Sequence, residues 1–320
     1  MRAIQITELS GPASATALVD LPEPSPAEDQ VAIEVKAAGV SFPEVLQSRG
    51  LYQLKPPLPF VPGSEVAGVV RSAPDDAPVK PGDRVFAVCL LGGFAEIAVA
   101  PVHSTFALSD ALDFRQGAGL ILNYHTVYFA LVTRGRLQAG ETVLVHGAAG
   151  GVGTAALQVA KGLGARTIGI VSTDEKERVA REAGADHVLR SDGPWKDQTK
   201  ELGGADIVLD PVGGERFTDS IRSLKEGGRV LVVGFTEGSI PEVRVNRLLL
   251  ANTEIVGAGW GSYALSKPDY VAEVARALDG LIADGHVRPI VGASFPLERA
   301  SEALELIDSR GATGKVVLDV

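Results

Sequence analysis

The sequence predicts an α/β protein in which a β-barrel-like unit is followed by a doubly wound parallel sheet of six strands. Three observations carry this expectation. The chain has 320 residues, more than one small core organises. Up to residue 122, short β-rich pieces are separated by proline and glycine turns. From Asn123 onward, apolar runs of strand length alternate with helical stretches.

In the first part the β-rich pieces are residues 31–35, 65–70, 85–88 and 95–99. They lie among Leu21-Pro22-Glu23-Pro24-Ser25-Pro26, Pro56-Pro57-Leu58-Pro59 and Pro62-Gly63. Pro81-Gly82-Asp83 is a turn with a mechanism, since proline presets φ and glycine tolerates φ > 0. In the second part, residues 142–146 form a short apolar strand. A glycine turn, a helix over 153–163 and a strand over 166–171 follow, making one βαβ unit of about 30 residues. A helix near 174–183 and strands at 187–189, 206–209, 229–233 and 254–256 continue the pattern, with a helix near 215–224. Such alternation argues for a parallel sheet covered on both faces. The tail reads as a helix over 268–283, a strand over 289–293, a helix over 297–307 and a strand over 315–318. It has no position in a six-stranded sheet and is expected to return to the first unit. The expected domains are therefore 1–122 with 265–320, and 123–264.

Composition excludes several function classes. Hydrophobic residues make up 45% and charged residues 22%, as in ordinary globular proteins. The net charge is −10, a poor electrostatic match for nucleic acid or an anionic membrane surface. No apolar run of about 18 residues suggests a membrane span. Met1-Arg2-Ala3-Ile4-Gln5 opens no signal-peptide pattern, so a cytoplasmic protein is expected. One cysteine, Cys89, makes neither an internal disulfide nor a cysteine-rich zinc site. It is expected to pack as an inert thiol.

The most informative segment is Gly147-Ala148-Ala149-Gly150-Gly151-Val152-Gly153, directly after a strand and opening a helix. Gly150 and Gly153 have the spacing of the last two glycines of G-x-G-x-x-G, with Ala148 in the place of the first. In this context the pattern points to a dinucleotide whose pyrophosphate sits on the helix N-terminus. Unpaired N–H groups and the helix dipole favour the negative charge there. A side chain at Gly150 or Gly151 would hold the phosphate away, and Gly153 lets helix and strand pack. Ala149, Gly150, Gly151 and Val152 are the candidate phosphate-binding positions. A tight βα turn without a ligand is the bland alternative.

An NAD site carries Asp or Glu at the end of the second strand, about 20 residues past the glycines. Here that strand ends in Ser172-Thr173-Asp174-Glu175-Lys176. A small hydroxyl at Ser172 leaves room for a 2′-phosphate, with Lys176 and Arg190 as candidate cations, so NADPH is the expected cofactor. Asp174 and Glu175 are expected in the first turn of the next helix. The five histidines show no zinc-ligand spacing and there is no G-x-S-x-G elbow. Hydride transfer needs neither, because the cofactor carries the chemistry. No obligatory catalytic side chain is therefore expected.

Several further segments carry a family resemblance over essentially the whole chain. They are Ala38-Gly39-Val40-Ser41-Phe42-Pro43-Glu44, Arg49-Gly50-Leu51-Tyr52, and the run from Pro59 through Pro62-Gly63-Ser64-Glu65 to Gly68. Gly92-Gly93-Phe94-Ala95-Glu96, Asp210-Pro211-Val212-Gly213-Gly214, Val233-Gly234-Phe235 and Thr313-Gly314-Lys315-Val316-Val317 join them. With the glycine turn, these resemble the medium-chain dehydrogenase/reductase superfamily, and within it the zinc-independent, zeta-crystallin-like NADPH:quinone oxidoreductases. The resemblance implies a GroES-like β-barrel catalytic domain, a Rossmann domain, a cleft holding NADPH, and a homodimer. It implies a substrate pocket of Ser41, Tyr52, Ser64 and Tyr124. Thr126, Val212, Gly213, Gly234, Phe235, Trp260 and Gly261 are implied on the cofactor.

Zinc alcohol dehydrogenases of this superfamily carry metal ligands where this chain has Ser41, Ser64 and Leu122, so no metal is expected. An alcohol needs a Lewis acid to stabilise its alkoxide, whereas a quinone accepts hydride without one. One departure concerns the pocket: the family usually has Asn at Ser41, and often Asp at Glu44. The leading expectation is transfer of reducing equivalents from NADPH to a quinone. The alternatives are an enoyl or alkenal (C=C) reductase and a non-catalytic NADPH-binding regulatory protein.

Overall fold

The computed structural model describes residues 1–320. The chain begins with β1 (Arg2–Ile6) and β2 (Thr16–Asp20), an antiparallel pair that sequence patterning did not reveal. Then come β3 (Gln30–Val40), α1 (Phe42–Gln47), β4 (Glu65–Ser72), β5 (Arg84–Val88), β6 (Ile97–Pro101), β7 (Thr105–Ala107) and α2 (Phe114–Gly117). The expected strand over 95–99 thus starts two residues late, because Ala95 instead bridges to Ala3 of β1. The short helix α1 went unread between two loops. Ser41 is its N-cap, Pro43 lies in its first turn, and the Ser41 N–H donates to Glu44 Oε2 at 3.0 Å.

A helical segment follows, with α3 (Thr126–Tyr128) between wider π-type turns over Leu120–His125 and Phe129–Arg134. The parallel sheet then builds up. Its members are β8 (Thr142–His146), α4 (Gly151–Gly162), β9 (Arg166–Val171), α5 (Asp174–Glu182), β10 (His187–Arg190), α6 (Trp195–Glu201), β11 (Ala205–Asp210), α7 (Phe217–Ser223), β12 (Leu224–Val232), α8 (Asn246–Ala251) and β13 (Glu254–Gly257). The strand order is β10-β9-β8-β11-β12-β13, and every neighbouring pair is parallel. This is the doubly wound order, which reverses direction beside the first strand, β8. Two limits moved. Helix α4 begins at Gly151 instead of 153, capped by Gly150 in an extended conformation. Strand β12 begins at Leu224 instead of 229, across a register break opposite Ala205/Ile207. Leu144, Ile168, Val208, Phe217 and Val230 are central to the buried core of this unit.

The tail comprises α9 (Trp260–Ser266), α10 (Pro268–Ala283), β14 (Val291–Pro296), α11 (Ala300–Asp308) and β15 (Lys315–Asp319). Its two strands join the first sheet, whose order is β14-β15-β3-β4-β5-β7, with β6 also on β3, whereas α9 and residues 280–288 group with the second unit instead of the first. Strand β15 lies between β14 (parallel) and β3 (antiparallel), with Val316 opposite Val40. Ile33, Val66, Val85, Phe94, Leu304 and Val316 pack in this core. The chain divides into one compact unit of 1–122, 268–279 and 289–320, and a second of 123–267 and 280–288.

Candidate active site

The second unit carries its candidate residues at the carboxyl ends of parallel strands, where ligands of such sheets bind. After β8 the chain turns through Gly147 (φ +59°) into Gly150 and α4. The glycines have separate physical reasons. A Cβ on Gly153 would lie 2.1 Å from the Gly147 carbonyl oxygen, so this position must be bare for strand and helix to meet. A Cβ on Gly151 would strike the Asn123 amide at 2.5 Å. Gly150 differs: its Cβ would meet only Gly147 O at 3.5 Å, so no protein atom demands glycine there. The bare backbone leaves a cradle in front of the unpaired first N–H groups of a 12-residue helix. The residues present fit a pyrophosphate.

Around the cradle the same edge collects the other candidates. Asp210, at the end of β11, is buried and its Oδ1 accepts from the Val212 and Gly213 N–H groups at 2.8 and 2.9 Å. Burial raises its pKa while those two donors pull it down. Val212 is tied to the next loop, since the Glu237 N–H donates to its carbonyl and Thr236 N–H donates to Pro211 O. Gly213 and Gly214 have φ +72° and +75°, and a Cβ on Gly213 would meet the ring of Phe235 at 2.9 Å. Gly234 and Phe235 thus lie beside Val212 and Gly213, with Phe235 36% exposed. Trp260, first residue of α9, is buried edge-on to His125 and its Nε1 donor has no partner. Gly261 follows it with open space at its Cα. Thr126 is half-buried in α3.

At the ends of β9 and β10, Asp174 and Glu175 sit in the first turn of α5, as expected, capped by Thr173. Ser172 is exposed, and Arg190 donates to its carbonyl and to Asp174 Oδ1, each at 2.5 Å. Asp174 is 99% exposed, so this ion pair is easily exchanged for another anion. Lys176 lies one turn into the same helix. Tyr124 requires a correction: it does not line open space. It is 2% exposed and its hydroxyl donates to Gln158 Oε1 at 2.7 Å, so it is a packing residue of this unit.

The first unit brings Ser41 and Ser64 into one buried cluster with three residues that sequence reasoning did not assign to a site. Lys315, at the start of β15, donates to Glu65 Oε1 at 2.5 Å and to Ser41 Oγ at 2.7 Å. Glu65 Oε2 accepts from the Leu122 N–H at 2.9 Å. Ser64 Oγ donates to Glu44 Oε1 at 2.7 Å. The Lys315 and Glu65 side chains are 3% and 0% exposed. Their placement depends on Gly39, where a Cβ would lie 2.6 Å from Glu65 Oε1 and 2.3 Å from Ala118 O. Glu44 is fully buried, and burial pushes its pKa up against the pull of Ser64 and Lys315. Tyr52 follows α1, half-buried; burial and then the charge of Glu44 raise its pKa. Cys89 packs against the core, its thiol pushed up to about 12 by burial, as an inert thiol should be. The sequence signal for Lys315 was a lysine opening the apolar run Val316-Val317-Leu318, a position that demands a buried partner.

Comparisons with known proteins show the family. Residues 27–110 match the alcohol dehydrogenase GroES-like domain, and residues 151–279 match the zinc-binding dehydrogenase family. The human quinone oxidoreductase is 37% identical, over 99% of this chain and 97% of that protein. The quinone oxidoreductase of Thermus thermophilus, solved alone and with NADPH, is 33% identical with a TM-score of 0.85. That of Escherichia coli, solved with NADPH, is 29% identical with a TM-score of 0.90. Each of these two structures aligns over 100% of both chains. The chain therefore belongs to the quinone oxidoreductases of the medium-chain dehydrogenase/reductase superfamily, built from a GroES-like and a Rossmann domain.

Proposed function

We propose that this protein is a metal-independent oxidoreductase that reduces quinones with NADPH. The observation that carries the reading is the Lys315 ammonium on Ser41 Oγ. In zinc relatives the corresponding positions offer thiolate and imidazole. Here one hydroxyl accepts from a buried cation and the other, Ser64, is committed to Glu44. Zinc does not fit this donor set, because the ammonium repels it and neutral hydroxyls are weak ligands. A quinone, already electron-poor, needs no Lewis acid.

In this reading NADPH, when bound, supplies the hydride equivalent. Ala149, Gly150, Gly151 and Val152 hold its pyrophosphate at the N-terminus of α4. Ser172, Lys176 and Arg190 receive the 2′-phosphate. Val212, Gly213, Gly234, Phe235, Trp260, Gly261 and Thr126 line the remainder. Ser41, Ser64 and Tyr52 form the substrate side. The first unit acts as the catalytic domain and the second as the cofactor domain, and the protein works in the cytoplasm. No helix is long and apolar enough to cross a membrane.

A homodimer is part of the proposal. The parallel sheet ends at β13 with an open edge. In the same unit Ile240, Val245, Leu249 and Leu250 are 74%, 74%, 77% and 80% exposed. So many bare apolar side chains mark a contact surface, and a second copy offers the same open edge. A monomeric mass in light scattering would end this part.

The test of the activity is NADPH oxidation with 1,4-benzoquinone or 9,10-phenanthrenequinone, in parallel with a 2-alkenal, each with and without a chelator. Chelator-resistant quinone turnover is expected. Turnover of the alkenal alone assigns C=C reduction instead. NADPH binding without turnover of either assigns a regulatory binding protein.

A further inference from the structure

The cluster around Ser41 has a property that its separate contacts do not reveal. The Ser41 N–H is committed to Glu44 Oε2, and its Oγ accepts from Lys315. The hydroxyl proton has no acceptor inside the cluster, and Ser41 is only half-buried. A hydroxyl that accepts from an ammonium becomes a better donor, since hydrogen bonds in a chain polarise one another. Lys315 in turn is fixed by Glu65, whose second oxygen is held by the Leu122 N–H. Buried groups need no reorganisation when charge develops beside them.

We propose that Ser41 Oγ–H, polarised by Lys315, is the hydrogen-bond donor to the carbonyl oxygen of the substrate as that oxygen gains negative charge. Ser41 is the catalytic residue in this assignment, and Lys315 and Glu65 are positioning residues. Ser41 keeps its proton throughout, and the reduced oxygen takes its proton from water. The proposal rests on the reading that an electron-poor carbonyl compound is the substrate.

A phenol reports such a donor without turnover, because its phenolate resembles the oxygen of the reduced quinone. With the NADP⁺-loaded protein, 4-nitrophenol is titrated by absorbance between pH 6 and 9, where phenol and phenolate differ in colour. Other titratable groups facing the site are Glu44, Glu65, Tyr52 and Cys89. Burial keeps the Tyr52 and Cys89 protons on across this range. Wild-type protein is expected to bind the phenolate in preference to the phenol. Ser41→Ala is expected to lose about 10- to 100-fold of that preference, the scale of one hydrogen bond to a charged group. Ser41→Thr should restore it. The double variant Lys315→Met/Glu65→Gln keeps Ser41 but removes the ammonium without leaving a buried charge unpaired, and should lose the preference as well. A merely structural Lys315 would leave the pH profile unchanged. If wild type shows no phenolate preference, or Ser41→Ala retains it, the assignment is wrong. Failure of the underlying reading is separate: it shows as no quinone or alkenal turnover by wild type, whatever 4-nitrophenol does.

Discussion

The two candidate regions are built on opposite plans. The cradle at Gly150 is made of backbone, from one continuous loop, and its elements are glycines that stay out of the way. The Ser41 cluster is made of side chains, largely desolvated, with Lys315 separated from Ser41 by 274 residues of sequence. A backbone site binds by leaving space and tolerates loss of any one donor. A buried side-chain site has a fixed charge balance, and one deletion leaves a partner unpaired. One candidate site is thus a product of local structure and the other of topology.

The contrast is broken most forcefully at Lys315. Lys315→Met leaves Glu65 buried without its cation and is expected to cost about 3–5 kcal/mol in urea denaturation. Adding Glu65→Gln should recover most of that. A loss under about 1 kcal/mol for the single variant would show that water reaches the cluster. Gly150→Ala tests the other plan. The added methyl meets only the Gly147 carbonyl oxygen, at 3.5 Å, so stability should change by no more than about 1 kcal/mol, while NADPH affinity falls about 100-fold in fluorescence titration. An equal loss of stability would mean that the turn, not a ligand, requires the glycine. The smallest effect is expected at Lys176. Lys176→Ala should weaken NADPH about tenfold and leave NADH nearly unchanged by the same titration. Equal losses for both would remove Lys176 from the 2′-phosphate site.

Legibility followed the same division. Strands β8 and β9 stand at the residues the pattern indicated, because central parallel strands are apolar on both faces and bounded by glycine. Strands β1, β2 and β7 carried no comparable signal: β1 and β2 pair only with each other beyond two isolated bridges, and β7 has three residues. Helix α1 was hidden because Pro43 and Ser41 read as loop until the N-terminal cap is recognised. The glycine turn that opens α4 was readable from spacing. Ser41 and Ser64 came from resemblance, and nothing near either in sequence announces Lys315. Tyr124 also came from resemblance, and here it is buried instead, with its hydroxyl donating to Gln158 on α4.

Strand β15 also bears on how the molecule is made. The first sheet has its third and fourth strands early in the chain and its neighbour β15 at the far end, so a ribosome delivers Glu65 long before Lys315. The intervening parallel sheet contains all six of its strands and is free to fold during synthesis. The barrel-like unit has to wait, with the Ala37–Val40 end of β3 unpaired on the side that β6 leaves open, until residues 315–319 emerge. A chain cut short before Lys315 therefore retains all six strands of the parallel sheet but not the ammonium at Ser41. Completion of translation is itself the step that closes the Ser41 cluster.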